Sequence, residues 1–283
     1  MDQQSNQLEL YARPATGVRS AIRHIYSFWS GVEQPAERVL LPNFQASIIF
    51  NFGRPHTMQV GSKQNATFTL NRVAIIGPIK QAIRFQSEAG ADMLSVNFSF
   101  DGFYRFFNLP VQELNGHVVH PDDLLVKKCF SLLWEQLMEA TDHQDRVAIV
   151  NKFAEPYLKA GDNALNHVAD LITLCQKQLH LNPVKLMAKE QRVSERTAQL
   201  RFQKYVGFSP KEFARFVRFQ RVLNELQTTA RSQPDWYDFV ERNGYYDQSH
   251  LIHDFAHFVG QSPTHLLHEL GNERLYCAPY ALP

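Results

Sequence analysis

Apolar positions in the first hundred residues come in short runs, "ERVLLP", "QASIIFNFG", "NRVAIIGP", "KQAIRFQ" and "DMLSVNFSF", rich in β-branched and aromatic side chains and punctuated by Gly, Pro and Asn. In "QASIIFNFG" Ile48, Phe50 and Phe52 fall on one side of an extended chain and Ser47 and Asn51 on the other, the pattern of a strand with one buried face. Many short strands without long helices between them predict an antiparallel barrel or sandwich. Beyond Phe100 the spacing of apolar residues lengthens to the helical period. Asp101 is expected to cap a helix through "GFYRFFN", and Asp122 and Asp123 to open another that runs to about Ala140. "QDRVAIVNKFAEPYLKAG" reads as a third helix, with Pro156 either a kink or a first-turn residue.

The tetrapeptide "AGDN", residues 160–163, sets a Gly stop beside an Asp and Asn start and divides the chain into domains 1–160 and 161–283. Past it the apolar rows Leu165, Val168, Leu171, Ile172 and Leu179, then Phe202, Val206 and Phe208, then Phe213, Phe216, Val217, Phe219, Val222, Leu223 and Leu226 fit helices with tight turns. The expected class is α+β multidomain: an antiparallel β-barrel or sandwich with flanking helices, then an all-α domain. Phe103, Phe106 and Phe107 are assigned to covering the end of the barrel, with a partner surface as the alternative.

At 283 residues, 44% hydrophobic and 20% charged, the composition is that of a globular protein with room for two cores. No run approaches the roughly 20 apolar residues of a membrane helix. The opening "MDQQSNQLEL" lacks the basic and apolar regions of a signal peptide, so the expected location is the cytoplasm and no membrane partner is expected. Cys129, Cys175 and Cys277 are widely spaced and read as reduced thiols. The net charge of +1 conceals an asymmetry: Lys177 to Arg231 carries twelve basic against four acidic side chains, whereas from Ser232 onward two basic residues face seven acids. The first of these stretches suits a polyanion.

Two segments share one shape. "VSERTAQLRFQKYVGFSP" and "YDQSHLIHDFAHFVGQSP" align with Phe202 opposite Phe255, Val206 opposite Val259, Gly207 opposite Gly260 and Ser209-Pro210 opposite Ser262-Pro263. The glycines suit left-handed helix stops, and Ser-Pro suits a cap followed by proline at the first helical position. Each segment is preceded by a further helix, "VKLMAKEQR" or "DWYDFVERN". Helix, short turn and projecting helix is a geometry that fits the major groove of DNA. With "GYYDQSHLIHDFAHFVGQSP" and "VSERTAQLRFQKYVGFSPKEFARFVRFQRVL" in this order, the chain from about 164 to 270 resembles the AraC-type transcription regulators, whose DNA-binding domain has two helix-turn-helix units joined by a long helix. Upstream, "IYSFWSG", "GPIKQAIRF" and "LSVNFSFDGFYRFFNLPVQELNGHVVHPDDLL" are similar to the β-rich N-terminal domain of a subgroup of these regulators. In the wider family that domain is often a cupin-like barrel that binds a small effector or mediates dimerisation.

The resemblance implies double-stranded DNA as partner, a small-molecule effector, RNA polymerase as a further candidate partner, and a monomer or homodimer. It places Ser194, Arg196, Thr197, Gln199, Leu200, Arg201 and Lys204 of the first unit, and Gln248, Ser249 and His253 of the second, at the DNA. Tyr245, Tyr246 and Asp247 are assigned to the turn and cap before the second helix. The sequence departs from the family at Ala198, usually a large aliphatic residue; at Leu200 and Arg201, which reverse the common order; and at His253 and Ala256, commonly basic. The acidic second unit therefore either adds sequence reading or is vestigial, and five histidines there, His250, His253, His257, His265 and His268, would make it more cationic below about pH 6.5. Trp29, Arg38, Phe50 and Arg84 are the candidate effector-binding residues, since a buried Arg suits an anionic ligand; the alternative is surface ion pairs and core aromatics.

Two other functions compete. A metal-dependent cupin enzyme needs a close His pair, a carboxylate and a further His, but only His24 and His56 occur between residues 20 and 100. His253 and His257 stand four apart without a third ligand, and there is no nucleophile elbow, phosphate-cradling Gly loop or HExxH motif. No metal, cofactor or enzymatic activity is expected. An interaction protein with degenerate DNA-binding units is the other alternative.

Overall fold

The computed structural model describes residues 7–31, 36–60, 66–87, 89–114, 118–125, 128–158, 168, 171–174, 182–229, 236–271 and 275–276. The strands are β1 (Gln7–Ala12), β2 (Ile22–Ser30), β3 (Ala36–Leu40), β4 (Ser47–Asn51), β5 (His56–Val60), β6 (Ala66–Leu70), β7 (Val73–Ile76), β8 (Ile83–Ser87), β9 (Asp92–Phe98), β10 (Val118–Val119) and β11 (Leu275–Tyr276). They form a six-stranded sheet, β1-β2-β9-β4-β7-β10, and a five-stranded sheet, β11-β3-β8-β5-β6. The two sheets face each other across a buried layer, and among the described residues no strand closes them into a barrel. Every described pair is antiparallel except β11 with β3, which sets Leu275 beside Val39. A C-terminal strand thus joins the N-terminal sheet, and the segment after residue 161 is not wholly helical.

Strand β4 departs from the one-faced pattern expected of it: all five residues are buried. It lies between β9 and β7 in the middle of its sheet, so neither face meets water. Ile48 and Phe50 pack under helices α1 (Gly102–Phe107), α2 (Phe130–Glu139) and α3 (His143–Ala154), while Ile49 points into the layer between the sheets. Ser47 and Asn51 are polar yet internal, and each is hydrogen-bonded: Ser47 Oγ donates to Asn97 Oδ1 at 2.7 Å, and Asn51 Nδ2 donates to the Arg54 carbonyl at 2.8 Å. Alternation alone cannot separate a solvent face from a second buried face whose polar groups are satisfied.

The early helices also differ at their starts. Asp101 makes no capping bond to α1; its carboxylate bridges Arg105 at 2.6 Å and accepts from Ser99 Oγ at 3.1 Å. Asp122 stands eight residues before α2 and reaches forward to accept from the Phe130 and Ser131 amides at 2.8 and 3.2 Å. It caps a helix that begins at 130 rather than at 122. Pro156 sits in a single 3-10 turn, Glu155–Tyr157, that ends α3. The expected boundary at 160–163 and residues Leu165, Cys175, Lys177, Leu179, Arg231, Asp235, Glu273, Arg274 and Cys277 lie outside the described residues.

The C-terminal helices are α4 (Pro183–Gln191), α5 (Glu195–Val206), α6 (Pro210–Thr229), α7 (Trp236–Arg242), α8 (Gln248–Phe258) and α9 (Pro263–Gly271). Gly207 at φ 86° and Gly260 at φ 75° supply the left-handed stops that the repeated motif requires. Ser209 and Glu212 form a capping box at the start of α6: Ser209 Oγ accepts from the Glu212 amide at 3.2 Å, and Glu212 Oε2 accepts from the Ser209 amide at 2.8 Å. The two halves of the chain do not keep separate cores. Val39, Leu41, Phe44, Ala82 and Phe100 are buried in the same cluster as Phe202, Phe208, Phe213, Phe216 and Phe258.

One buried group makes the fold acid-sensitive. His24 in β2 is 4% exposed, and burial together with the neighbouring Arg23 lowers its pKa from 6.5 to about 4. Between those values the unfolded chain takes up a proton that the folded chain refuses, so stability is complete above pH 6.5 and falls on acidification towards pH 4. The loss from this ring alone is about 3 kcal/mol. An NMR titration of the His24 ring should give a midpoint near 4 in the folded protein; a midpoint at the ordinary 6.5 would contradict this account.

Candidate nucleic-acid interface and interior cavity

The first helix-turn-helix unit consists of α4, a three-residue turn and α5. Asn182 caps α4, its Oδ1 accepting from the Val184 and Lys185 amides at 3.1 and 3.2 Å. Arg192 then takes a left-handed conformation at φ 51°, and Ser194 caps α5 by accepting from the Thr197 amide at 3.1 Å. Ala198, Phe202, Tyr205 and Val206 are the buried side of α5. Ala198 is fully buried.

Glu195, Arg196, Gln199, Leu200 and Lys204 are the exposed residues of α5. Three residues assigned to the DNA also make contacts within the protein. The Thr197 hydroxyl lies 2.9 Å from Ser194 Oγ within the cap. Arg201 donates through Nη1 to Gln191 Oε1 at 2.7 Å, bracing α5 against α4. This settles the reversed Leu200-Arg201 pair: the leucine faces outward and the arginine faces its own unit. Lys204 holds its ammonium over the rings of Tyr104 and Tyr205 at 5.3 and 5.6 Å, at the seam with the sandwich.

The second unit is built on α7 and α8. Gly244 at φ 71° permits the turn, and Asn243 Nδ2 bridges Glu225 Oε2 and the Phe239 carbonyl, both at 3.0 Å. Asp247 caps α8 by accepting from the His250 amide at 2.7 Å. Tyr245 is buried, as a turn-setting residue should be, but Tyr246 is 92% exposed and holds no part of the turn. Gln248, Ser249, Ile252, His253 and Ala256 form the open face of α8, and none of them is Lys or Arg. Arg242 is occupied by Glu225 and Asp238, each at 3.1 Å.

Asp254, one of the seven acids counted from Ser232 onward, is 1% exposed and bonded to Arg215 of α6 at 2.5 Å. Tyr245 packs beside it: burial first, then the Asp254 charge, pushes the phenol up, against the opposing pull of Arg218 and Arg215. The acidic excess of this unit is therefore partly internal. His257 does not follow the expected gain of charge near pH 6.5, because burial and Arg215 hold its pKa below the ordinary value despite Asp254 and Glu212.

Between the two sheets lies a small cavity of about 70 Å³ that opens towards solvent. Phe28, Ile49, Met58, Ile79, Phe85 and Met93 give it an apolar wall, with Arg38, Asn43, Ser47 and Asn97 as its buried polar groups. The Arg38 guanidinium sits over the Phe28 ring at 5.2 Å. Burial lowers the pKa of Arg38, while Glu9 and Tyr26 act in the opposite sense. Of the four residues expected to bind an effector, Arg38 alone lines this cavity. Phe50 faces the helices on the far side of its sheet, Arg84 is exposed, and Trp29 is 44% exposed on β2. The strands of Arg38, Phe50 and Arg84 were legible, but which side of each strand faced the cavity was not.

The cavity and the helices meet. Phe44, one residue after Asn43 of the cavity wall, stacks on Phe216 at 4.0 Å and meets Phe208 edge-on at 4.7 Å. Just beyond Ile79 of the same wall, Lys80 pairs with Glu212 at 3.5 Å. Gln81 Nε2 donates to the His257 carbonyl at 3.2 Å, and the Ala82 amide donates to the Phe258 carbonyl at 2.9 Å. The far end of α8 is thus held by the strap that lines the cavity. At the first unit, Gly207 lies so close to Val111 that an added Cβ would stand 2.7 Å from its Cγ1.

A family profile described as a helix-turn-helix domain matches residues 187–269, which covers both units and the helix between them. The C-terminal region is an AraC-type helix-turn-helix domain. A second profile, a domain of unknown function (DUF6597), matches residues 11–120 of the sandwich ahead of this AraC-type domain. Comparison with curated proteins gave no match. Among solved structures, ToxT from Vibrio cholerae strain SCE256 with a bound unsaturated fatty acid is 11% identical, covering 94% of this chain and 97% of its own at a TM-score of 0.45. ToxT from Vibrio cholerae O395 bound to (E)-4-(8-methylnaphthalen-1-yl)but-3-enoic acid is 12% identical, covering 87% and 97% at 0.45. The AraC-like transcriptional activator CuxR is 10% identical, covering 79% and 78% at 0.24. Among the described residues no helix is long and apolar enough to cross a membrane, and no group of three or more His, Cys, Asp or Glu is placed to hold a metal ion.

Several residues of the cavity and of the exposed helices escaped the sequence. Asn43, Ser47 and Asn97 line the cavity, yet each looks in sequence like an ordinary strand or loop residue. The one available signal was a run of polar residues inside an otherwise apolar strand pair. Ile252 was likewise missed on the open face of α8 because isoleucine reads as core.

Proposed function

We propose that the chain is a non-enzymatic, sequence-specific regulator of transcription whose two exposed helices, α5 and α8, read DNA under the control of a small molecule bound between the sheets. The observation that carries this reading is that one wall serves both sites: Asn43 and Ile79 border the cavity, while Phe44 and Lys80 to Ala82 grip α6 and α8. A ligand that shifts this wall alters how α8 is presented. The apolar lining with Arg38 at one side suits a molecule with an apolar body and one anionic group. The 20 residues of α6 span about 30 Å, close to the roughly 34 Å between successive major-groove faces on one side of a duplex.

Most non-specific affinity comes from the basic first unit and α6, because neutralised phosphates supply it. Arg196, exposed in the first turn and a half of α5, is the residue proposed to bond a guanine edge. Arg196→Ala should weaken binding to a selected operator by about 5- to 150-fold, corresponding to about 1–3 kcal/mol, and weaken binding to random duplex far less. Sequences would be selected from a random duplex pool, with and without a metabolite extract, and their affinities measured across salt concentrations. A steep fall with salt supports the regulator. No association at low salt would replace it with the interaction-protein reading that the cation-free face of α8 favours.

A further inference from the structure

Resting on the DNA-binding reading, we infer that Leu200 and Ile252 are specificity residues that read the 5-methyl group of thymine. Both occupy the open faces of their helices, 56% and 41% exposed, on elements whose other large aliphatic and aromatic side chains are buried. Leu200 lies four residues after Arg196, one turn along the same face, and Ile252 lies four after Gln248 and three after Ser249. Each apolar tip is therefore set among polar side chains able to bond base edges and phosphates.

Leaving such side chains in water gives up the stabilisation of burying them. The surface that complements them is a major groove, where the thymine methyl is the apolar group that base pairs present. The positive excess between Lys177 and Arg231 selects a polyanion as the occupant of the face that carries Leu200. Alignment of Phe202 with Phe255 pairs Leu200 with His253 and Ile252 with Gln199, so the two helices carry their apolar tips at different registers. The two half-sites consequently require thymine at different places and are not two copies of one sequence.

Deoxyuridine removes only the methyl and keeps every hydrogen-bonding group. Starting from a duplex selected by the full chain, each thymine is replaced in turn and binding is measured at fixed salt. The wild-type protein should lose about fourfold at one position or more in each half-site, the effect of uncovering one methyl. Leu200→Ala should abolish that difference in the first half-site only, and Ile252→Ala in the second only. Equal binding of thymine and uracil duplexes at every position overturns the inference while leaving the DNA-binding reading intact. A difference that persists in both alanine variants also overturns it, by assigning the effect to duplex shape, as does a change of oligomeric state in place of the lost discrimination. Failure to enrich any duplex overturns both readings.

Discussion

Asp254→Ala is expected to lower the unfolding free energy by about 3 kcal/mol, as read from urea denaturation. The carboxylate is 1% exposed and bonded at 2.5 Å to Arg215, so its removal strands a cation against α8 and leaves a void beside Tyr245. Breaking a buried pair by deleting one partner costs about 3–5 kcal/mol. The lower end applies here, because the Arg215 side chain is 34% exposed and water can solvate it once Asp254 is gone. Asp254→Asn keeps the shape and one acceptor, and should lose less. A second consequence separates this role from general packing. Asp254 pins the middle of the second recognition helix to α6, so the alanine variant should discriminate poorly among sequences in the half-site read by α8. Its affinity for random duplex, supplied by the first unit, should stay near wild type. A loss below about 1 kcal/mol, or discrimination unchanged in a variant that folds, would show that α8 is positioned by its apolar contacts alone.

The same carboxylate marks where reading the sequence stops. The helices, their caps and the glycine stops of both units were legible because each depends on residues within a few positions: Ser194 on Thr197, Asp247 on His250, Gly207 on the turn it closes. Charge was misread because pairing is long-range. Asp254 and Arg215 are 39 positions apart, and counting them separately made the second unit look more hostile to phosphate than its surface is. Arg201 and Lys204 were given to DNA by the resemblance, which carries no sign that Gln191 accepts from the one and Tyr104 lies under the other.

The sandwich failed in a related way. Its strands from "ERVLLP" to "DMLSVNFSF" were recognisable, but β1, β2, β5 and β6 carry polar or mixed patterns that local propensity does not mark. Nor does a strand declare how many of its faces are covered. Because β4 is covered on both sides, Ser47 became part of an internal cavity and Phe50 part of a different core. Arg38 lines the cavity while Arg84, a cation in a similar β-rich run, is exposed, so charge within a strand did not separate the two; Trp29 and Phe50 were no easier to place, because aromatic residues fill cores everywhere.

Phe44→Ala is expected to cost about 4 kcal/mol and to divide one cooperative unfolding transition into two. Phe44 is 3% exposed and stacks on Phe216 at 4.0 Å, with Phe208 and Phe258 edge-on at 4.7 and 5.8 Å. Phe44 thus meets three aromatic rings of the helical core. It does so from a left-handed backbone at φ 54°, unfavourable for a side chain, held by two amides of residues 43 and 44 that both donate to the Ile79 carbonyl at 3.1 and 3.0 Å. Alanine keeps that strain and loses the ring, whereas Phe44→Gly loses the ring and relieves the strain; the glycine variant should therefore be no less stable than the alanine one. In a Trp236→Phe background the fluorescence of Trp29 and Trp134 reports on the N-terminal half, and with Trp236 kept as the single tryptophan it reports on the C-terminal helices, so the two halves can be followed separately in urea. In the wild type the curves should coincide. In Phe44→Ala the transitions should part, since the ring is what makes the cavity wall and the recognition helices one cooperative body. Coincident curves in the variant would mean that the remaining seam, Lys80 to Ala82 with Phe100, couples the halves on its own, and the wall beside the cavity would then have to act on α8 through those contacts rather than through the phenyl ring.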